Sequence, residues 1–228
     1  MKSPHPLFAL ALAACGLLAG GCGDLGTIIP PAQADPTRYF LLAPRQAAAE
    51  EAVPAPVAGR LRVGLRRVEL AAYLKTRSIV VGSGPNEIAI EDFQRWAEPL
   101  GDGVSRIVRA RLLASPAVAS VEPQPFAFDA DRDCDVSIVI RHCEGMAEPG
   151  GRSFARFAAE YEIVSPGPAP RTIARGTFYA PEAPWDGRDY AQLAEMLYYS
   201  ADSLGRVIAT EIGGAKLTPA PQPPARAR

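Results

Sequence analysis

The chain has 228 residues, 48% of them hydrophobic, which suffices for one domain with a buried core. Its formal net charge of −1 excludes the basic surplus with which nucleic-acid-binding chains neutralise phosphates. Many of its 23 prolines lie between Ile29 and Pro56 or after Leu217, marking linkers and tails around a folded centre.

At the start, Lys2 precedes an apolar run from Leu7 to Leu18. That run is shorter than the roughly 20 residues a membrane-spanning helix needs, and fits the apolar core of a signal peptide. The small residues that follow, Leu18-Ala19-Gly20-Gly21-Cys22, resemble a bacterial lipobox. On this reading residues 1–21 are a lipoprotein signal peptide and Cys22 becomes the lipidated N-terminus. Leu12-Ala13-Ala14-Cys15 meets the same pattern, so Cys15 is the alternative lipidation site. A plain secretory signal with incidental cysteines is the bland alternative. Two or more acyl chains hold a protein stably at a membrane, so a lipidated cysteine anchors the domain without a spanning helix. Gly23, in place of an aspartate after the cysteine, favours the outer membrane. Residues 22–36, rich in Gly, Pro and Ala, read as a tether.

Tyr39 to Leu42 reads as a strand, and residues 44–59 as a loop or partly helical connector. Leu61, Val63 and Leu65 alternate with polar or small neighbours, a strand pattern. Ile79-Val80-Val81 is followed by the turn residues Gly82-Ser83-Gly84-Pro85-Asn86 and then by Ile88 and Ile90 at alternate positions. This predicts a hairpin, with Ile88 and Ile90 half-buried, that delivers the chain to a helix capped by Asp92. Phe93, Trp96, Leu100, Val104, Ile107, Val108 and Leu112 form that helix's apolar stripe, with Pro99 and Gly101 producing a kink or a separate first turn. Further strands are expected over Val118–Val121, Asp133–Cys143, Arg152–Ile163 and Arg171–Ala180, the middle two joined by a hairpin loop at Gly145–Gly151. Asp186 to Asp189 starts a closing helix whose stripe is Tyr190, Leu193, Leu197, Ala201, Leu204 and Ile208, and Gly213-Gly214 ends it. One of the adjacent Tyr198 and Tyr199 must face water. Residues 215–228 are expected to be a disordered Pro/Ala-rich tail. The fold class is therefore α/β: a single domain over residues 37–214, with a mixed or mostly antiparallel sheet flanked by two long amphipathic helices. Those stripes match the area of one sheet face, which leaves little apolar surface to line a pocket.

Chemistry-bearing constellations are sparse. Asp129, Asp131, Asp133 and Asp135 alternate like a calcium loop, but Cys134 and Ile140 stand where such a loop needs glycine and glutamate. A solvated acidic loop is the expected role. Cys134 and Cys143, nine residues apart on one strand, would be about 30 Å apart and on opposite faces, so both are expected to be free and buried. His142 and Cys143 are neighbours on a strand and point apart, which disfavours a nucleophile pair. One histidine and one cysteine also fall short of a metal site. The expectation is a non-enzyme with no cofactor. Trp96, Pro99 and Leu100 are singled out as structural or interface residues.

Five segments together resemble the PqiC/YmbA-type lipoproteins, auxiliary components of ABC-type transport systems. They are Tyr39-Phe40-Leu41-Leu42, Tyr73-Leu74, Ile79-Val80-Val81, Trp96-Ala97-Glu98-Pro99-Leu100 and Val104-Ser105-Arg106-Ile107. The similarity covers roughly Arg38 to Ile212, and the tryptophan-centred run is its most specific part. The resemblance implies a mixed sheet flanked by helices. It implies a docking accessory on the periplasmic face of the outer membrane, with no ATP site of its own. Its implied partner is an MCE-family protein of an ABC system that moves lipid between membranes, and it leaves room for homo-oligomers. The alternative is a small periplasmic module that holds lipid in its own cavity.

Overall fold

The computed structural model describes residues 34–45, 60–127, 131–167 and 169–215. The signal peptide, Cys15, Cys22, most of the tether and of the connector, Asp129 and the C-terminal tail lie outside the described residues. One compact unit begins at Thr37. Its elements are β1 (Arg38–Phe40), β2 (Leu61–Leu65), β3 (Glu69–Leu70), a 3₁₀ turn (Ala72–Leu74), β4 (Ser78–Gly82), β5 (Ile88–Trp96), α1 (Leu100–Leu113), β6 (Val118–Pro123), β7 (Cys134–Ala147), β8 (Ser153–Val164), β9 (Thr172–Tyr179), β10 (Ala183–Pro184) and α2 (Tyr190–Gly214).

The ten described strands form one mixed sheet, and β7 is its axis. Along one edge of β7 lie three strands in succession, all parallel to it. β2 pairs at Cys134–Val136, β3 at Val139–Ile140 and β4 at Gly145–Met146. Along the other edge β8 runs antiparallel for nearly the whole length of β7, and β9 follows β8. β6 extends the sheet beyond β2, and β5 with β1 extends it beyond β4. The β4–β5 hairpin turns as its sequence suggests, with Gly84 at φ +97°.

One hydrophobic core joins the sheet to both helices. Val136, Ile138, Ile140 and Cys143 contribute from β7, Val104, Ile107, Val108 and Leu112 from α1, and Leu193, Leu197, Leu204 and Ile208 from α2. The helices also pack on each other. A Cβ placed on Gly205 would lie 2.9 Å from Arg111 Cβ, so glycine permits this close approach. Asp189 caps α2 by accepting from the N–H groups of Ala191 and Gln192, at 3.0 and 3.1 Å. Tyr199 is exposed at one side of α2, and Tyr198 is partly buried.

Three expectations are corrected. α1 begins at Leu100, with Pro99 at its N-cap position, and Asp92 lies within strand β5. The backbone explains why. Trp96 N–H donates to Arg77 O and Ala97 N–H to Phe40 O, at 2.7 and 2.9 Å, so this segment is committed to the sheet. Proline inside a helix would clash with the carbonyl four residues back, whereas at the start it costs nothing. Neither a kink nor a separate first turn results, and Phe93 leaves the stripe. Second, Ile88 and Ile90 do lie on a strand but are exposed. Third, Cys134 and Cys143 share a face. The β7–β8 register shifts between Ile140 and His142, and this bulge reverses the alternation beyond it. Both cysteines are free and buried, as expected, and burial pushes the Cys134 thiol up to about 12.

Trp96 is only 3% exposed at the junction of β5 and α1. Replacing it with alanine is expected to cost about 3–5 kcal/mol in chemical denaturation. A stable Trp96→Ala protein would contradict its role as a core residue. Gly205→Val should push α2 from α1 and cost about 1–3 kcal/mol. An unchanged denaturation midpoint would show that Arg111 yields without strain.

Candidate functional site

The acidic alternation of Asp131, Asp133 and Asp135 has a structural use. Asp133 accepts from the backbone N–H of Arg62 at 2.7 Å and from its guanidinium at 3.2 Å, while Asp131 pairs with the same arginine at 3.2 Å. Asp135 pairs with Arg132 at 2.7 Å and Arg66 at 3.3 Å. Asp133 and Asp135 are buried, which corrects the expectation of a solvated loop. These carboxylates fasten the start of β7 to β2. A buried carboxylate needs this many donors to repay its lost hydration. No cluster of three metal-ligating side chains occurs among the described residues.

A second polar cluster sits on the sheet face opposite the core. Glu144, itself buried, lies beside His142 Nδ1 at 2.8 Å and accepts from the Tyr73 hydroxyl and the Cys143 backbone N–H, both at 2.8 Å. Arg156 donates to His142 Nε2 at 3.0 Å. This pattern fits the neutral tautomer that carries its proton on Nδ1. Burial, followed by the Glu144 charge, pushes the Tyr73 hydroxyl well above the usual phenol range. Tyr73 thus pins the 3₁₀ turn onto β7. Sequence reading noted Tyr73 but missed Glu144. The available signal was an acidic residue inside a strand, two positions from His142 and so on the same face. His142 and Cys143 point apart, as the strand alternation predicts.

Two surfaces are open to partners. The first is the β1–β5 side of the sheet, where Tyr39, Leu41, Ile88, Ile90 and Phe93 are 46–61% exposed. β1 is the end strand of this path, so its outer edge has no described strand beside it. Exposed apolar groups that share one sheet edge mark a contact surface. The second is a groove of about 1030 Å³ along α1, bordered by the segment after β2, the end of β6 and α2. Leu65, Val68, Ile107, Ala110 and Leu113 contribute its apolar lining, and Arg66, Arg67, Arg106, Arg109 and Arg111 its basic groups. It lies beyond the carboxyl ends of the parallel strands β2 and β6, where open α/β sheets place their clefts. The apolar stripes alone did not foretell it, because loop segments and arginine stems form much of its wall.

Trp96 and Leu100 are buried and Pro99 is exposed, so among these three only Pro99 is open to a partner in this conformation. Among the described residues no helix is long and apolar enough to cross a membrane.

The domain has two layers, a mixed sheet on one side and two packed helices on the other, and it leaves an apolar strand edge and a groove exposed. The sequence model of the ABC-type transport auxiliary lipoprotein component matches residues 39–209, and the chain belongs to that family. It is therefore a lipoprotein component of an ABC-type transport system, a role that implies partner proteins. No curated protein matches the chain. Among solved structures, a protein from Xanthomonas campestris is similar at 20% identity and TM-score 0.58, over 71% of this chain and 89% of that one. A second, described as an uncharacterized protein, is similar at 17% identity and TM-score 0.58, over 77% and 99%. A PelC dodecamer from Paraburkholderia phytofirmans gives 15% identity and TM-score 0.41, over 70% and 92%. The first two likenesses show the fold.

Tyr73→Phe should cost about 1–3 kcal/mol in chemical denaturation, because it leaves a buried carboxylate short of one donor. Tyr199→Phe, on the exposed side of α2, should change nothing measurable. Equal effects of the two would show that Glu144 finds its donor elsewhere.

Proposed function

We propose that this protein is the lipid-anchored periplasmic accessory of an MCE-type ABC system for lipid transport between membranes and for outer-membrane integrity. It acts by docking, and its domain extends over residues 37–214. The family match across residues 39–209 carries this reading. The lipobox supports the anchor, with Cys22 lipidated and Gly23 directing the protein to the periplasmic face of the outer membrane. The apolar edge at Tyr39, Leu41, Ile88, Ile90 and Phe93 supports the docking mode. A monomer that needs no partner gains nothing from exposing these groups together. A neighbouring strand of the MCE protein laid along β1 would satisfy its free edge and cover them.

Mass spectrometry of the membrane-extracted protein should find the acylated N-terminal peptide beginning at Cys22. A mature terminus at Cys15 would move the site, and an unacylated protein would remove the anchor. The intact lipoprotein should retain an MCE protein of the same cell in a pull-down, and Ile90→Glu with Phe93→Glu should abolish retention without lowering thermal stability. Absence of binding by the wild-type protein would defeat the docking reading. One phospholipid retained per purified chain would instead support a module that carries lipid in its own cavity.

A further inference from the structure

The groove along α1 has a shape and a charge pattern that the family assignment does not explain. Its lining runs on α1 from Asp102 to Ala114, about 18 Å of helix at 1.5 Å per residue. Three of its arginines are engaged. Arg66 pairs with Asp135 at 3.3 Å, Arg106 with Glu98 at 2.6 Å, and Arg111 with Asp202 at 2.7 Å. Two have no carboxylate partner among the described residues. The Arg109 guanidinium donates only to the Val121 carbonyl, at 3.4 Å, and Arg67 bonds Gln124 through its backbone N–H at 3.1 Å. Both side chains are exposed. Asp102 and Asp202 are the acidic residues of the lining, and Asp202 is shared between Arg111 and Arg206. The groove therefore offers an elongated apolar floor with two arginines that lack a carboxylate partner among the described residues, Arg67 from the segment after β2 and Arg109 from α1, against one exposed carboxylate, Asp102.

We propose that this groove is a docking site for a polypeptide segment that presents acidic side chains around an apolar strip. The inference rests on the docking reading for the class of partner, and adds a second contact separate from the β1–β5 edge. Charge complementarity selects an acidic occupant. The distribution of that charge selects a polypeptide. A single-chain amphiphile concentrates its charge in one head group, whereas the guanidiniums without a carboxylate come from two separate elements, Arg67 from the segment after β2 and Arg109 from α1. Acidic side chains spaced along a helix or strand meet such an arrangement one by one. The guanidinium's planar fork suits carboxylates in particular.

The test uses the full-length lipoprotein in a nonionic detergent and a fluorescent twelve-residue peptide of alternating glutamate and leucine. A second peptide replaces each glutamate with glutamine. The acidic peptide should bind at least tenfold more tightly than its neutral counterpart, and 500 mM salt should weaken it several-fold. Arg67→Glu with Arg109→Glu should reduce its affinity at least tenfold, and Arg67→Gln with Arg109→Gln should reduce it by less. Both variants should keep the wild-type melting temperature, since these side chains carry no ion pair. Arg171→Glu with Arg175→Glu, at exposed positions just before and within β9, should leave affinity unchanged. Equal binding of the two peptides, full binding by the charge-reversed variant, or an equal loss in the β9 variant would each overturn the proposal. Charge-dependent retention of lyso-phosphatidylglycerol through Arg67 and Arg109, without peptide binding, would replace the polypeptide with an anionic lipid and overturn it too. None of these results depends on the MCE partner, so failure here is distinguishable from failure of the docking assay.

Discussion

The structure depends on the pairing of β7 with four strands at once. A strand of 14 residues is roughly 45 Å long, well above the usual length, and it is long enough for β2, β3 and β4 to line up in turn along one edge. The three share a direction and advance along β7 in chain order, so short forward connections link them end to end. The 3₁₀ turn at Ala72–Leu74 lies in the connection from β3 to β4, and Tyr73 holds it down through Glu144. β8 closes the other edge with twelve register pairs, interrupted only at the Arg141 bulge. That bulge keeps both halves of β7 useful. Before it, Val136, Ile138 and Ile140 face the core; after it, Cys143 and Gly145 do so, while His142 and Glu144 face outward.

Charge is used in two ways on this scaffold. Near the start of β7, Asp133 and Asp135 are buried beneath Arg62, Arg66 and Arg132, and the ion pairs hold β2 in register with β7. These groups are satisfied within the domain. A few residues along, Arg67 and Arg109 have no carboxylate partner among the described residues and border a groove. A net charge of −1 over the whole chain hides this local surplus, because acidic and basic residues are sorted between the buried pairs and the open cleft. On the proposed reading, internal pairs fix the domain and the two remaining arginines serve a partner.

The exposed apolar edge and the basic groove lie on different elements. The first is carried by β1 and β5, the second by α1, α2 and the segments that end β2 and β6. On the proposed reading, two contacts of different chemistry would allow a small anchored domain to hold a larger assembly in one orientation. Linking two modest contacts raises overall affinity beyond either alone. A domain tethered to a membrane also meets its partner at raised local concentration, so neither contact needs to be strong.

Much of this protein was legible from sequence. Alternation located β2, β7, β8 and β9, three-and-four spacing located the buried faces of α1 and α2, and Asp189 announced the closing helix, because each depends on interactions a few residues long. The family resemblance at Trp96-Ala97-Glu98-Pro99-Leu100 was equally local. What sequence misassigned were boundaries and faces that distant contacts decide. Asp92 has the chemistry of a cap, but hydrogen bonds from Trp96 and Ala97 to Arg77 and Phe40 carry the strand past it. Ile88 and Ile90 alternate as if half-buried, yet their strand runs toward the open side of the sheet. Asp133 and Asp135 look like a solvated run until Arg62 and Arg66, some 70 residues earlier in the chain, are brought over them. The groove belongs wholly to tertiary structure, since residues of β2, α1, β6 and α2 form it only when the helices close on the sheet. Periodicity reports which side of an element is apolar; only packing determines what that side meets and which charges are left without a partner.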